Sequence, residues 1–325
     1  MKVLVTGGAG FLGQQLIAAL LARGVLSVRD GSPPASVSHI VCFDQVAGAL
    51  RDERVRYVVG DMTDWQQVSH LVDADTGAVA HLAAVVSGTA EADFDLGMRV
   101  NIDGTRTLLE ACRAAGNRPR VVFSSSLAVF GGKLPSEVDD SVAPTPQGSY
   151  GVQKLIGEWL VHDYSRKGFI EGCSVRIPTV VVRPGKPNGA ASGFASNIIR
   201  EPLAGCDAVL PVAPELRMWL TSPRTAVANL MHALQLSPSI VGIERSINLP
   251  GLTVSMGEAL AALERVGGAA ARARVRENRN ESIERLVRTW PDRFRTDRAL
   301  SLGFAGDSDF ESVVRAHVAE HGNPC

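Results

Sequence analysis

Apolar residues along the first 180 positions fall into two rhythms. Short β-branched runs at Lys2–Thr6, His39–Phe43, Val55–Val59, Ala78–Leu82, Arg120–Ser124 and Ser174–Val180 are apolar at successive rather than alternate positions, as strands of a parallel sheet covered on both faces must be. Between them, Phe11–Arg23, Asp95–Ala115 and Ser149–Lys167 carry helical periodicity and stop near Gly24, Gly116 and Gly168, where glycine readily closes a helix. The alternation predicts an α/β fold with a doubly wound parallel sheet. The stretch Gly24–Ser38, with Gly31-Ser32-Pro33-Pro34 inside it, is expected to be a surface loop.

After Val182 the rhythm fades into Arg183-Pro184-Gly185-Lys186-Pro187-Asn188-Gly189, a turn-rich break. Beyond it the pattern predicts short helices at Ser222–Leu236, Ser255–Val266, Glu281–Thr289 and Asp309–Glu320, with extended pieces near Ser246–Leu249 and Ala273–Arg276. The expected organisation is a main domain over residues 1–182 and a smaller mixed lobe over 183–325, interleaved with the main domain and forming one wall of its site. No repeat or low-complexity segment interrupts it.

Composition narrows the classes open to the chain. A length of 325 residues, 45% of them hydrophobic and 21% charged, suits an ordered globular protein with a sizeable core and excludes a disordered one. A net charge of −1 gives no electrostatic reason to expect nucleic acid or an anionic membrane as partner. The apolar opening is too short for a secretory h-region, and no run approaches the ~20 apolar residues of a membrane span. Cys42, Cys112, Cys173, Cys206 and Cys325 are scattered and odd in number, so neither disulfides nor a metal site is expected, and the chain reads as reduced and cytoplasmic. The basic run Arg272–Arg279 is broken by Glu277 and reads as a solvated face.

Candidate chemistry starts where the first strand meets the first helix, at Thr6-Gly7-Gly8-Ala9-Gly10-Phe11-Leu12-Gly13. Glycines at 7, 10 and 13 allow a tight turn, backbone approach to a pyrophosphate, and close helix–strand packing, with phosphate charge met by the helix N-terminus; the arrangement predicts a Rossmann dinucleotide site. Asp44 ends the second strand, where a carboxylate takes the adenosine ribose hydroxyls and repels a 2′-phosphate, so NAD is the expected cofactor. It falls farther past the glycines than the usual ~20 residues, and a strand-end turn aspartate is the alternative. Asp61-Met62 either flanks the adenine or supplies a helix cap. His81-Leu82-Ala83-Ala84 ends the fourth strand with small residues suited to a cofactor lying across them; His81 itself reads as a satisfied strand histidine. Asn101 is placed to bind strand backbone beside the cofactor.

Two further motifs supply reactive groups. Ser124-Ser125-Ser126 brings hydroxyls to the carboxyl end of the fifth strand, and Tyr150-Gly151-Val152-Gln153-Lys154 puts a phenol and an ammonium on one helix face, where the cation can hold down the phenol's pKa. The set predicts proton exchange by Tyr150 while Ser125 or Ser126 orients the substrate oxygen. Counting back from Tyr150 favours Ser125.

In this order, TGGAGFLG, Asp44, GDM at 60–62, HLAA, SSSLAVFG and YGVQK resemble the extended short-chain dehydrogenases/reductases, a family that includes nucleotide-sugar epimerases and dehydratases. Spacing from the following Val129-Phe130-Gly131 in that family favours Ser126 instead. Segments Arg176–Asn188, Phe194–Leu203, Trp219–Arg224 and Asn248–Gly251 point within the family to members that oxidise C2 of a four-carbon sugar acid. The resemblance implies hydride transfer to NAD with Tyr150 as base, Lys154 on the nicotinamide ribose, and Pro178-Thr179-Val180 against the carboxamide. It also implies a homodimer joined through the helix bearing Tyr150 and its neighbour. A sugar acid needs a cation for its carboxylate, for which Lys186, Arg217 and Arg224 are candidates, with Asn197 for a hydroxyl. Phe130 stands where many relatives have tyrosine, which removes a hydroxyl expected near the cofactor side of the pocket. The alternatives are a nucleotide-sugar epimerase or dehydratase, an L-threonine dehydrogenase-like member, and a noncatalytic NAD-sensing regulator.

Overall fold

The computed structural model describes residues 1–185 and 189–322. Ten strands frame the site, in chain order β1 (Lys2–Thr6), β2 (His39–Asp44), β3 (Val55–Val59), β4 (Thr76–His81), β5 (Arg120–Ser126), β6 (Glu171–Ile177), β7 (Thr179–Val180), β8 (Arg217–Thr221), β9 (Ser246–Asn248) and β10 (Leu252–Ser255). Seven of them form a parallel sheet in the order β9-β6-β5-β4-β1-β2-β3. The chain reverses its direction of winding at β1, so a crevice opens beyond the carboxyl ends of β1 and β4. Thr6 pairs with Phe43 on one side and His81 on the other, which brings Gly7, Asp44 and Leu82 to one rim. His81 pairs with Phe123, so Ser124–Ser126 run on past the end of β4.

The unbroken apolar runs are explained by burial on both faces. Val3 and Val5 pack with Leu16, Ile17 and Leu20 of α1 (Phe11–Arg23), whereas Leu4 packs with Leu108 and Leu109 of α2 (Gly104–Ala115) and with Val161 of α3 (Ser149–Arg166). Gly24 and Gly116 close α1 and α2 in the left-handed conformation, with φ of 69° at each. The helix expected over Asp95–Ala115 comes in three pieces: a short turn at Phe94–Gly97, a wide π-helical turn at Met98–Asp103, and α2.

Two further expectations are corrected. Within Gly24–Ser38, Val25–Leu26 pairs antiparallel with Ala35–Ser36; Leu26, Val28 and Val37 are buried in the core, and that anchoring ties the stretch down. In the second half, α4 (Gly193–Leu203) lay hidden behind a Gly/Ala-rich start and Pro202 in its last turn, although it buries Phe194, Ile198 and Ile199. It packs with α6 (Met256–Ala273), which follows α5 (Pro223–Ala233), around a second core containing Leu216, Met218, Leu260 and Val314. A three-stranded sheet, β10-β8-β7, joins this core to the mouth of the crevice. The second half also returns to the main sheet, with β9 alongside β6 and α5 against α1.

Among the described residues no group of His, Cys, Asp and Glu is arranged to hold a metal ion, and no helix is long and apolar enough to cross a membrane.

Candidate active site

The glycine turn after β1 is built for contact between backbones. Gly7 has φ of +67°, and a Cβ there would sit 2.6 Å from the amide nitrogen of Ala83; at Gly13 a Cβ would lie 2.4 Å from the Gly7 carbonyl oxygen. Gly10 caps α1 without a side chain, and Gly10, Phe11, Leu12 and Gly13 line a cleft of about 420 Å³. On its rim the Asp44 carboxylate accepts hydrogen bonds from the amides of Ala9 (3.0 Å) and Gln45 (2.7 Å). Asp61 and Met62 line the same end. Asp61 accepts from the amide and hydroxyl of Thr63, while the cap of the next short helix is Asp64; the cap alternative for Asp61 is thereby corrected. A glycine cradle that any Cβ would fill, an uncapped helix N-terminus and a rim carboxylate together fit a dinucleotide.

Leu82, Ala83 and Ala84 line the cleft where β4 ends. His81, just below, is fully buried between Thr6 Oγ1 (2.6 Å) and Thr105 Oγ1 (2.9 Å), and burial pushes its pKa down to about 3, so it is a neutral clamp between β4 and its neighbours. Asn101 does not line the cleft. It accepts from the Val85 amide at 2.7 Å and donates to the Val85 carbonyl and to Gln153, so its part is to hold the chain that leaves β4.

At the other end the reactive side chains converge. Ser124, Ser125, Ser126, Tyr150, Lys154 and Pro178-Thr179-Val180 all line the cleft. The two candidate serines differ in what their hydroxyls meet. Ser125 donates to Glu158 at 2.5 Å, inside a buried network in which Arg176 also holds Glu158 at 2.7 Å and Asn248 at 3.2 Å. The Ser126 hydroxyl accepts from the Ala128 amide at 3.2 Å and lies near enough to the Tyr150 phenol to favour its ionised form. Lys154 donates to the Ser124 carbonyl at 2.7 Å and lies 4.6 Å from the centre of the Phe123 ring.

The electrostatics differ from the expectation that Lys154 holds the phenol down. Burial pushes the Tyr150 phenol up to about 12, and the groups opposing this are Arg183 and the Ser126 hydroxyl. Burial pushes the Lys154 ammonium down to about 7, against the pull of Glu158. Lys154 sits 5.7 Å from the centre of the Tyr150 ring, beside its face, and its proton is itself weakly held.

Most of the second-half candidates lie elsewhere. Arg217 is exposed and 3.8 Å from Asp292, Arg224 is exposed in the first turn of α5, and Asn197 accepts from Arg200 at 2.8 Å; none of the three lines the cleft. Lys186 falls outside the described residues. The residues that do line it from this half are Arg183, Ser192 and Trp290, among others. Arg183 donates to the Val180 carbonyl and the Ser192 hydroxyl, each at 2.9 Å. A single cation closing an otherwise apolar run was the signal for it in the sequence. Phe130 is fully buried against Phe294, so the missing hydroxyl takes nothing from the cleft.

Residues 3–220 match the model of the NAD dependent epimerase/dehydratase family. The chain is 54% identical over 323 residues to a D-erythronate dehydrogenase of Cupriavidus necator, covering 99% of each chain. It is 45% identical over 320 residues to the D-erythronate dehydrogenase of Haemophilus influenzae, covering 98% of this chain and 99% of that one. Among solved structures, the nucleoside-diphosphate-sugar epimerase from Agrobacterium tumefaciens superposes with a TM-score of 0.91 at 42% identity, covering 100% of this chain and 95% of that one. With a glycine cradle, a rim carboxylate and a Ser126–Tyr150–Lys154 constellation in one cleft, and with such matches along its length, the chain belongs to the NAD dependent epimerase/dehydratase family.

Proposed function

We propose that the protein is an NAD-dependent dehydrogenase that oxidises D-erythronate at C2 to the 2-oxo acid, in the breakdown of four-carbon sugar acids. What carries this reading is the end-to-end similarity to two D-erythronate dehydrogenases. Bound NAD supplies the hydride acceptor. The turn from Gly7 to Gly13 holds its pyrophosphate, Asp44 the adenosine ribose, and Asp61 and Met62 the adenine surroundings. Leu82–Ala84 and Pro178–Val180 enclose the remainder. Tyr150 takes the proton of the substrate hydroxyl, Ser126 orients that oxygen with its own hydroxyl from the same cleft, and Lys154, fixed on the Ser124 carbonyl, holds the ribose next to it. Ser125 supports the site from behind through Glu158. The 183–325 segment supplies the substrate wall.

The test is NADH formation by purified protein on a panel of sugar acids, with erythritol as the polyol lacking the carboxylate. Strong turnover of D-erythronate and little of erythritol is expected. The Agrobacterium tumefaciens relative, described as an epimerase, motivates the second reading: tightly held NAD, conversion of a nucleotide sugar and no net NADH would establish it and end the first.

Cofactor choice follows Asp44. A 2′-phosphate would meet a carboxylate already fixed by two amides, and like charges brought together are disfavoured. NAD is expected to be preferred over NADP by kcat/KM, and Asp44→Ala to narrow that preference roughly 10-fold or more; equal use of both cofactors by the wild type would remove the assignment.

A homodimer is part of the same reading. Trp159 is 63% exposed and Val152 41% exposed on α3, with Phe94 57% exposed as well, large apolar groups left at the surface on the helix that carries Tyr150. Sedimentation at the mass of a single chain would remove it. Reduced cytoplasm is the compartment that suits Cys42, Cys112 and Cys173, buried as free thiols.

A further inference from the structure

We propose that Arg183 is the residue that receives the substrate's carboxylate and thereby sets the preference for sugar acids over neutral polyols and their amides. The proposal rests on the dehydrogenase reading above and names its specificity element.

Arg183 is built into the wall. Its Nε donates to the Val180 carbonyl at 2.9 Å and its Nη2 to Ser192 Oγ at 2.9 Å, while its backbone amide donates to Ser196 Oγ at 3.1 Å and its carbonyl accepts from Arg200 at 2.7 Å. These contacts fix a planar guanidinium on the cleft surface, the geometry that pairs best with a carboxylate. The anchoring is local and rigid, since Val180 lies in β7 and Ser192 and Ser196 bracket the start of α4.

Its charge faces the chemistry. Arg183 and Tyr150 line the same cleft within electrostatic reach of each other, the guanidinium favouring phenolate and the phenolate favouring guanidinium. The carboxylates lining the cleft, Asp44 and Asp61, lie at the glycine-turn end, so among the described lining residues no acid stands between Arg183 and a substrate beside Tyr150. The other lining cation, Lys154, donates to the Ser124 carbonyl and is the one proposed above to hold the cofactor ribose. Burial disfavours the charged form of Arg183, and Arg200 opposes it further, so a substrate carboxylate brought beside it would favour that form. Arg217 and Arg224, on the surface, offer no such site.

The test compares D-erythronate with D-erythronamide, in which the carboxylate becomes a neutral amide. Wild-type enzyme is expected to prefer the acid strongly in kcat/KM. Arg183→Met should collapse that ratio by ~10²-fold, mainly through KM for the acid, and Arg183→Lys by an intermediate amount because a point charge replaces a planar fork. Kd for NAD, measured by calorimetry, should stay within a few-fold in both, which separates loss of the carboxylate site from loss of fold. An unchanged acid-to-amide ratio in both variants, whatever the loss of rate, would overturn the assignment and leave Arg183 as an electrostatic support of Tyr150. Should the wild type oxidise a different 2-hydroxy acid and ignore D-erythronate, the proposed substrate is wrong, and the same ratio taken on that acid and its amide decides Arg183 separately.

Discussion

Tyr150→Phe is expected to leave a folded protein that binds NAD with wild-type affinity and turns over at least ~10²-fold more slowly. The substitution keeps the ring and deletes only the hydroxyl whose ionised form Arg183 and Ser126 favour. Because the phenol is pushed up to about 12, its ionised fraction at neutral pH is small and grows tenfold per unit, so kcat/KM in the oxidative direction should climb from pH 7 into the alkaline range. The variant should lose that climb with the rate. Near-normal turnover in Tyr150→Phe would exclude the phenol as base. The serines give a paired control: Ser126→Ala should lower kcat by about 10-fold through the lost orienting hydroxyl. Ser125→Ala should instead cost about 1–3 kcal/mol of stability, since it leaves a buried carboxylate short of a donor.

Lys154→Met should reduce kcat/KM by roughly 10²-fold, and it should also erase a pH dependence of stability that the wild type carries. Lys154 is 2% exposed and its ammonium is pushed from the usual 10.5 down to about 7. Below about 7 both folded and unfolded chains hold the proton and the cost of burying the charge is fully felt. Between 7 and 10.5 the unfolded chain holds more protons, so stability rises with pH and is lost again as pH falls through the folded value. His81, pushed down to about 3, and His317, to about 4, act below 6.5. The buried thiols of Cys42, Cys112 and Cys173 and the phenols of Tyr150 and Tyr164, all pushed up, act with the opposite sign above 9 or 10. The clean window is therefore pH 7 to 9, where urea unfolding of the ligand-free wild type should gain on the order of 1–3 kcal/mol and Lys154→Met should stay flat. Matching slopes in the two proteins would mean that Lys154 is not held in its neutral form by burial.

Much of the site could be read from the chain because it is local in sequence. The glycine turn, Asp44, the serine run and the Tyr–Lys pair each sit at a strand end or on a single helix turn, and parallel strands of matched register bring strand ends to one rim whatever the rest of the molecule does. The same logic located five strands and the helices ending at Gly24, Gly116 and Gly168, while the run Ser174–Val180 divides at Pro178 between β6 and β7, which belong to different sheets. Periodicity failed where burial was decided by remote partners: Leu26 and Val37, which sink into the core from an apparent loop, and α4, whose apolar face only makes sense against α6.

The sequence by itself determined the doubly wound sheet, the dinucleotide turn and the placing of Tyr150 and Lys154 on one helix face, because short-range spacing is enough to put those groups together. Only the tertiary structure decided the direction of each remaining side chain. Ser125 turns back because Glu158 and Arg176 approach it from α3 and β6, and Ser126 faces the phenol. Asn101 turns to Val85 because the π-helical turn carries it there. Among the cations of the second half, Arg183 reaches the cleft and Arg217 and Arg224 do not. A charge on an irregular segment has no periodicity to orient it, and its position is fixed only when β7 and α4 pack beside the sheet and Val180 and Ser192 take hold of the guanidinium.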